Sequence, residues 1–206
     1  YTIELLDHNG VTVNRNYYDG TGASNGSFPF TFRGFGGAGA NDITSNVVTN
    51  ATGGAALWLG TTGSSNNVGN VTITRNRFRN SASSGIEFSF PENYVAAVAV
   101  TNNYINANTG AGLLLNASTA VTHQFLSINN NSFENTTNGI SYPPAYNGAV
   151  CQINARGNWW ESASGPTNSF NPLNPTPCTA TAFGDVIVQN GTCSSGDQSM
   201  ISFIPW

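Results

Sequence analysis

Apolar and polar positions along this chain recur on a long period. Six segments share one pattern: an apolar residue, two further residues, Asn, one residue, then a second apolar residue. They begin at Val13, Ile43, Ile73, Val100, Ile128 and Ala155, and their asparagines are Asn16, Asn46, Asn76, Asn103, Asn131 and Asn158. Successive asparagines lie 30, 30, 27, 28 and 27 residues apart. Two residues after each comes Tyr18, Val48, Phe78, Ile105, Phe133 or Trp160. Residues two apart on a strand share a face, so each segment supplies inward positions around a bend. A fixed period of this length marks an array in which each repeat buries its apolar face against its neighbours.

Stacking such repeats at roughly 4.8 Å aligns equivalent residues in columns along the axis. An Asn at the bend can adopt the turn conformation while its amide bonds the coils above and below, as in other asparagine ladders. The large apolar column beside it fills the interior. A second strand follows in most coils: Ala56 with Leu57 and Leu59, Gly85 with Ile86 and Phe88, Gly112 with Leu113 and Leu115, Gly139 with Ile140 and Tyr142. Stretches such as Gly60–Gly69 and Pro91–Tyr94 read as outward loops. No stretch keeps the i, i+3, i+4, i+7 spacing of an amphipathic helix over a useful length. An antiparallel sandwich also has many short strands, but it does not require the same positions six times in register. The pattern predicts an all-β, right-handed parallel β-helix of about six coils over residues 1–160, closed by a capping segment of the same domain over 161–206.

Composition supports a turn-rich fold. The chain holds 30 Asn, 42 Ser plus Thr and 23 Gly, no lysine and only 8% charged residues. Asn and Gly tolerate left-handed backbone, which a bundle of helices has no use for. Aromatic residues at 11% are enough for a core. Apolar stretches fall short of the 18 or more residues a membrane span needs. A net charge of −4 without a basic run argues against nucleic acid. Arg75, Arg77 and Arg79 alternate with Asn76 and Phe78, which on a strand reads as a solvated outer face. The start at Tyr1 reads as a processed or excised chain whose first apolar strand, Tyr1–Leu6, is uncapped.

The repeat and the tail together resemble the pectate-lyase-like family of right-handed parallel β-helices, of the secreted microbial surface type. Asn158-Trp159-Trp160, Ser164-Gly165-Pro166, Gly184-Asp185-Val186 and the final Pro205-Trp206 carry the likeness. Glu161 departs from it, because those proteins often have a small residue after the tryptophans. The tail breaks the period, is rich in proline and returns two strand-like runs at Val186–Gln189 and Met200–Ile204, as expected of a cap over open strand edges.

Members of that family include polysaccharide lyases, hydrolases and epimerases, whose chemistry needs grouped carboxylates. Here Asp7, Asp19, Asp42, Asp185, Asp197, Glu4, Glu87, Glu92, Glu134 and Glu161 are scattered singly. Asp7-His8 precedes a turn and reads as turn-stabilising; Glu87, between Ile86 and Phe88, reads as an exposed strand position beside Trp58 and Leu114. No catalytic residue, metal site or cofactor is assigned. Of the three cysteines, Cys178 and Cys193 are the favoured disulfide, with Cys151 free; a Cys151–Cys178 bond is the alternative. The seven Asn-x-Ser/Thr sequons, about as many as chance supplies, decide nothing. The expectation is a non-enzymatic extracellular or cell-surface structural protein, whose partners are copies of itself stacked end to end in a filament, neighbouring surface proteins, or a polysaccharide. The alternative is a polysaccharide-active enzyme or a carbohydrate-binding adhesin module.

Overall fold

The computed structural model describes residues 2–6, 10–23, 28–33, 40–60, 70–89, 98–116, 126–142, 153–161, 187–189 and 201–202. These form a parallel β-solenoid with no helix among the described residues. Strand pairings are parallel throughout. Three sheets make three faces. The first stacks Ile3–Leu6, Phe30–Arg33, Leu57–Gly60, Ile86–Ser89, Ala111–Asn116, Asn138–Tyr142 and Ile187–Gln189. The second stacks Thr12–Asn14, Asn41–Thr44, Val71–Thr74, Val98–Thr101, Leu126–Asn129, Ile153–Asn154 and Ile201–Ser202. The third stacks Tyr17–Asp19, Val47–Thr49, Arg77–Arg79, Tyr104–Asn106 and Ser132–Glu134.

All three faces are present together in five successive coils, so the solenoid makes about four full turns instead of six. The sixth repeat falls short on its third face, where the pairing is reduced to one bridge between Ser132 and Trp159. Of the tail, Ile187–Gln189 and Ile201–Ser202 add a further rung to the first and second faces. The rest of the expected cap, all three cysteines, Asp7, His8 and the expected loops beyond Gly60 and from Pro91 lie outside the described residues.

Register explains the repeat. Val13, Ile43, Ile73, Val100, Ile128 and Ala155 are buried on the second face. On the third face Tyr18, Val48, Phe78, Ile105 and Phe133 are in register. Trp160 continues the column, stacked on Phe133 with centroids 4.9 Å apart. Leu57, Leu59, Ile86, Phe88, Leu113, Leu115 and Ile140 line the first face from within. Glycine near the start of these strands is required by close approach: a Cβ on Gly112 would sit 2.6 Å from Phe133 Cδ1 and 2.8 Å from the Gly139 carbonyl oxygen.

Candidate functional site

The feature that organises the molecule is the bend between the second and third faces. Asn46, Asn76, Asn103, Asn131 and Asn158 are buried there, and Asn16 is half-buried in the first coil. From Asn46 onward, each side-chain carbonyl oxygen accepts two hydrogen bonds from the asparagine one coil earlier. Asn76, for example, donates its backbone N–H at 2.9 Å and its Nδ2 at 3.0 Å to Asn103 Oδ1. The same pair of bonds joins Asn16 to Asn46, Asn46 to Asn76, Asn103 to Asn131 and Asn131 to Asn158, at 2.8 to 3.0 Å. The remaining Nδ2 hydrogen goes back to the carbonyl of the apolar residue that opens the previous repeat. Asn46 bonds Val13, Asn76 bonds Ile43, Asn103 bonds Ile73, Asn131 bonds Val100 and Asn158 bonds Ile128. The spacing of three between apolar residue and Asn is therefore a hydrogen-bonding requirement as well as a packing one. A buried amide with every donor and acceptor used stiffens a core where a half-satisfied one would weaken it.

One detail differs from the expectation. The left-handed residue at the bend is the one before the ladder asparagine: Arg15, Ser45, Arg75, Asn102 and Asn130 have φ from 56° to 58°, and Gly157 has 68°. The asparagine itself returns to ordinary backbone so that its side chain can point inward. A second left-handed column, Asn50, Asn80, Ala107 and Asn135, follows the third face. There Asn80 Nδ2 donates to Asn50 Oδ1 at 3.1 Å, and Asn50 Nδ2 donates to Asp19 Oδ1 at 2.9 Å. That bond, with those from Thr21, lowers the Asp19 pKa from 3.8 to about 2.

Outward positions of the third face form a row in register: Tyr17, Val47, Arg77, Tyr104, Ser132 and Trp159. Only Arg77 and Arg79 of the arginine trio share a strand, whereas Arg75 stands at the bend. The Arg77 guanidinium lies 5.1 Å from the Tyr104 ring centroid. The Tyr104 hydroxyl donates to Glu134 Oε2 at 2.9 Å, and Ser132 Oγ donates to Glu134 Oε1 at 2.6 Å. Burial, then the Glu134 carboxylate, pushes the Tyr104 phenol above its usual 10.0. Beside this row the surface dips into a shallow, widely open depression of about 590 Å³.

The first face presents a different set. Glu87 is in register with Trp58 and Leu114, and it is only 9% exposed. The expected exposed position is thus a covered one: large side chains flank the carboxylate, and Asn116 Nδ2 donates to its Oε1 at 3.1 Å. Arg33 lies 5.4 Å over the Trp58 ring and 3.6 Å from Glu4. Among the described residues no three of His, Cys, Asp and Glu come together as metal ligands.

Other contributors were not singled out by the repeat. Phe30 and Phe32 are buried on the first face, and the alternation of Phe28, Phe30 and Phe32 was the available signal. Asn41 is buried in the second-face column, with its Oδ1 accepting the Val11 N–H at 3.1 Å. Ser81 and Asn108 are buried at the next bend, where Asn108 Oδ1 accepts the Ser81 N–H at 3.0 Å. No protein-family model, curated protein or solved structure matches this chain. What is established is the architecture, a parallel β-solenoid.

Proposed function

We propose that the chain is a non-enzymatic structural module of an extracellular surface protein, of the secreted microbial type of pectate-lyase-like solenoids. Its task is to hold distance and direction as a stiff rod in a surface layer, stalk or filament. The observation that carries this reading is the unbroken asparagine ladder from Asn16 to Asn158, which ties every coil to the next through buried, doubly accepting carbonyls. A ladder of this kind spends the buried polar groups on axial stiffness. The partners that suit such a rod are further copies stacked end to end or neighbouring surface proteins. The proposed Cys178–Cys193 bond belongs to the same oxidising setting.

Electron microscopy of the purified protein tests the reading. Unbranched fibres of constant width support the filament form, and isolated rods of roughly 30 Å stacked height support a spacer domain. Compact particles without an axis would overturn both. A second reading, a polysaccharide-active enzyme, draws its support from Glu87, a covered carboxylate beside an aromatic ring. Turnover of pectin or alginate that disappears in Glu87→Gln, with the fold intact, would replace the first reading with this one.

A further inference from the structure

Glu87 is the only charged side chain buried among the described residues, at 9% exposure. It stands on the outer side of the first face, in the row Thr31, Trp58, Glu87 and Leu114. Its Oε1 accepts a hydrogen bond from Asn116 Nδ2 at 3.1 Å, and that neutral amide is its only partner among the described residues. No lysine or arginine of the chain neutralises it. The sequence contains no lysine, and all six arginines are among the described residues. Arg15, Arg75, Arg77, Arg79 and Arg156 stand on or beside the second and third faces. Arg33, on the first face, pairs with Glu4 at 3.6 Å and lies 5.4 Å over the Trp58 ring. That ring folds across Gly60, whose missing Cβ makes the room. It therefore stands between Arg33 and Glu87, whose strands are two rungs apart, roughly 10 Å.

A carboxylate taken out of water without a counter-charge opposes folding, and such a group marks a place where a ligand can supply the charge. We propose that Glu87 receives the ammonium group of a lysine side chain from a partner protein. Trp58 and Leu114, from the coils before and after, give the methylene stem apolar walls while the charged head meets the carboxylate. Asn116, having donated its Nδ2, keeps a carbonyl oxygen for a second N–H of the ammonium. Arginine fits less well. Its planar fork asks for two oxygens side by side, and one of the two on Glu87 already takes the Asn116 amide. The lysine must come from a different protein, because another copy of this sequence carries none.

The slot and the rod stand or fall separately, since particle shape says nothing of Glu87, and peptide binding is read without any polysaccharide to turn over. The test is an NMR titration of the full chain with the capped peptide acetyl-Gly-Lys-Gly-amide, followed at the Trp58 indole and the Asn116 side-chain amide. The expected result is a saturable shift of both signals, weakening with salt. The Nε-acetyl-lysine and arginine versions of the peptide should bind about tenfold more weakly. Glu87→Gln should lose about tenfold in affinity and melt no lower than the parent chain, because it sheds an unpaired buried charge. Leu114→Lys, which sets an ammonium beside Glu87 in register, should block the peptide and raise the melting temperature. No saturable shift, equal binding of the acetylated peptide, tighter binding of the arginine peptide or an unchanged affinity in Glu87→Gln would each overturn the proposal.

Discussion

Replacing Asn103 by Ala removes the central member of the buried ladder, and the structure sets the cost. Two donors are orphaned, the backbone N–H and one Nδ2 hydrogen of Asn76, which now lie 2.9 and 3.0 Å from Asn103 Oδ1. The Ile73 carbonyl also loses its 2.9 Å donor, while Asn131 Oδ1 keeps the residue 103 N–H at 3.0 Å. An orphaned buried polar group costs about 1–3 kcal/mol, and a small void adds to it. The sum is about 3–5 kcal/mol, a large share of a typical domain's 5–15 kcal/mol. Asn16→Ala makes the control. There the partner Asn46 Oδ1 keeps a backbone donor at 3.0 Å, so the loss is about 1 kcal/mol. Asn103→Asp is the complementary change: its carboxylate faces the Asn131 and Ile73 oxygens, so the fold favours its protonated form. Its destabilisation is full at neutral pH and shrinks as the pH falls through the raised pKa. Urea unfolding followed by tryptophan fluorescence and circular dichroism measures all three. A loss in Asn103→Ala no larger than that in Asn16→Ala would refute the ladder as the element that holds the coils.

Further outcomes follow from other parts of the fold. Gly112→Ala forces its Cβ against Phe133 and the Gly139 carbonyl and should lower stability by about 2–3 kcal/mol in the same urea experiment; an unchanged midpoint would mean that the packing at this end of the strand is looser than described. The Asp19 carboxyl, held at about 2 against 3.8, should titrate there by NMR and move part of the way up toward the ordinary value in Asn50→Ala, where the Thr21 bonds remain. Because its folded pKa is depressed, whatever it contributes is present above the ordinary value and lost as the pH falls toward 2, so no change belongs near neutrality. Thiol titration of the denatured, unreduced protein should find one reactive cysteine out of Cys151, Cys178 and Cys193; three would remove the disulfide.

The ladder was legible because its chemistry forces one residue type: only a side chain with an amide can accept two bonds from the coil before and donate both to that coil and to the coil after. The buried pairs around it were legible from alternation. The left-handed residue before each asparagine was not, since Arg15, Ser45, Arg75, Asn102, Asn130 and Gly157 share no chemical type. That conformation is imposed by hydrogen bonds on either side of the bend and not by the residue's own preference. Glu87 was misread for a related reason. Alternation along its strand says which face it takes, but the bulk of Trp58 and Leu114 comes from the coils before and after. The coil count was overestimated because the Asn158 segment keeps the repeat while its third-face strand shrinks to a bridge. The outward row of the third face was visible only in part, because Arg77, Tyr104, Ser132 and Trp159 come side by side only through register between coils.

The ladder also gives the rod an electrical direction. Each side-chain carbonyl points toward the preceding coil, from Asn46 onward, while the backbone N–H and one Nδ2 hydrogen bond the carbonyl of the following asparagine. A peptide-like amide carries a dipole of about 3.5 D, and here such dipoles stand in series, negative toward Asn16 and positive toward Asn158. The polarity is opposite to that of an α-helix, whose positive end is its N-terminus. Two such rods meeting with the same end forward would set acceptor against acceptor or donor against donor. Meeting nose to tail, they would carry the series across the junction, so the orientation of any neighbour along the axis is chosen by the asparagines before a single surface residue touches it.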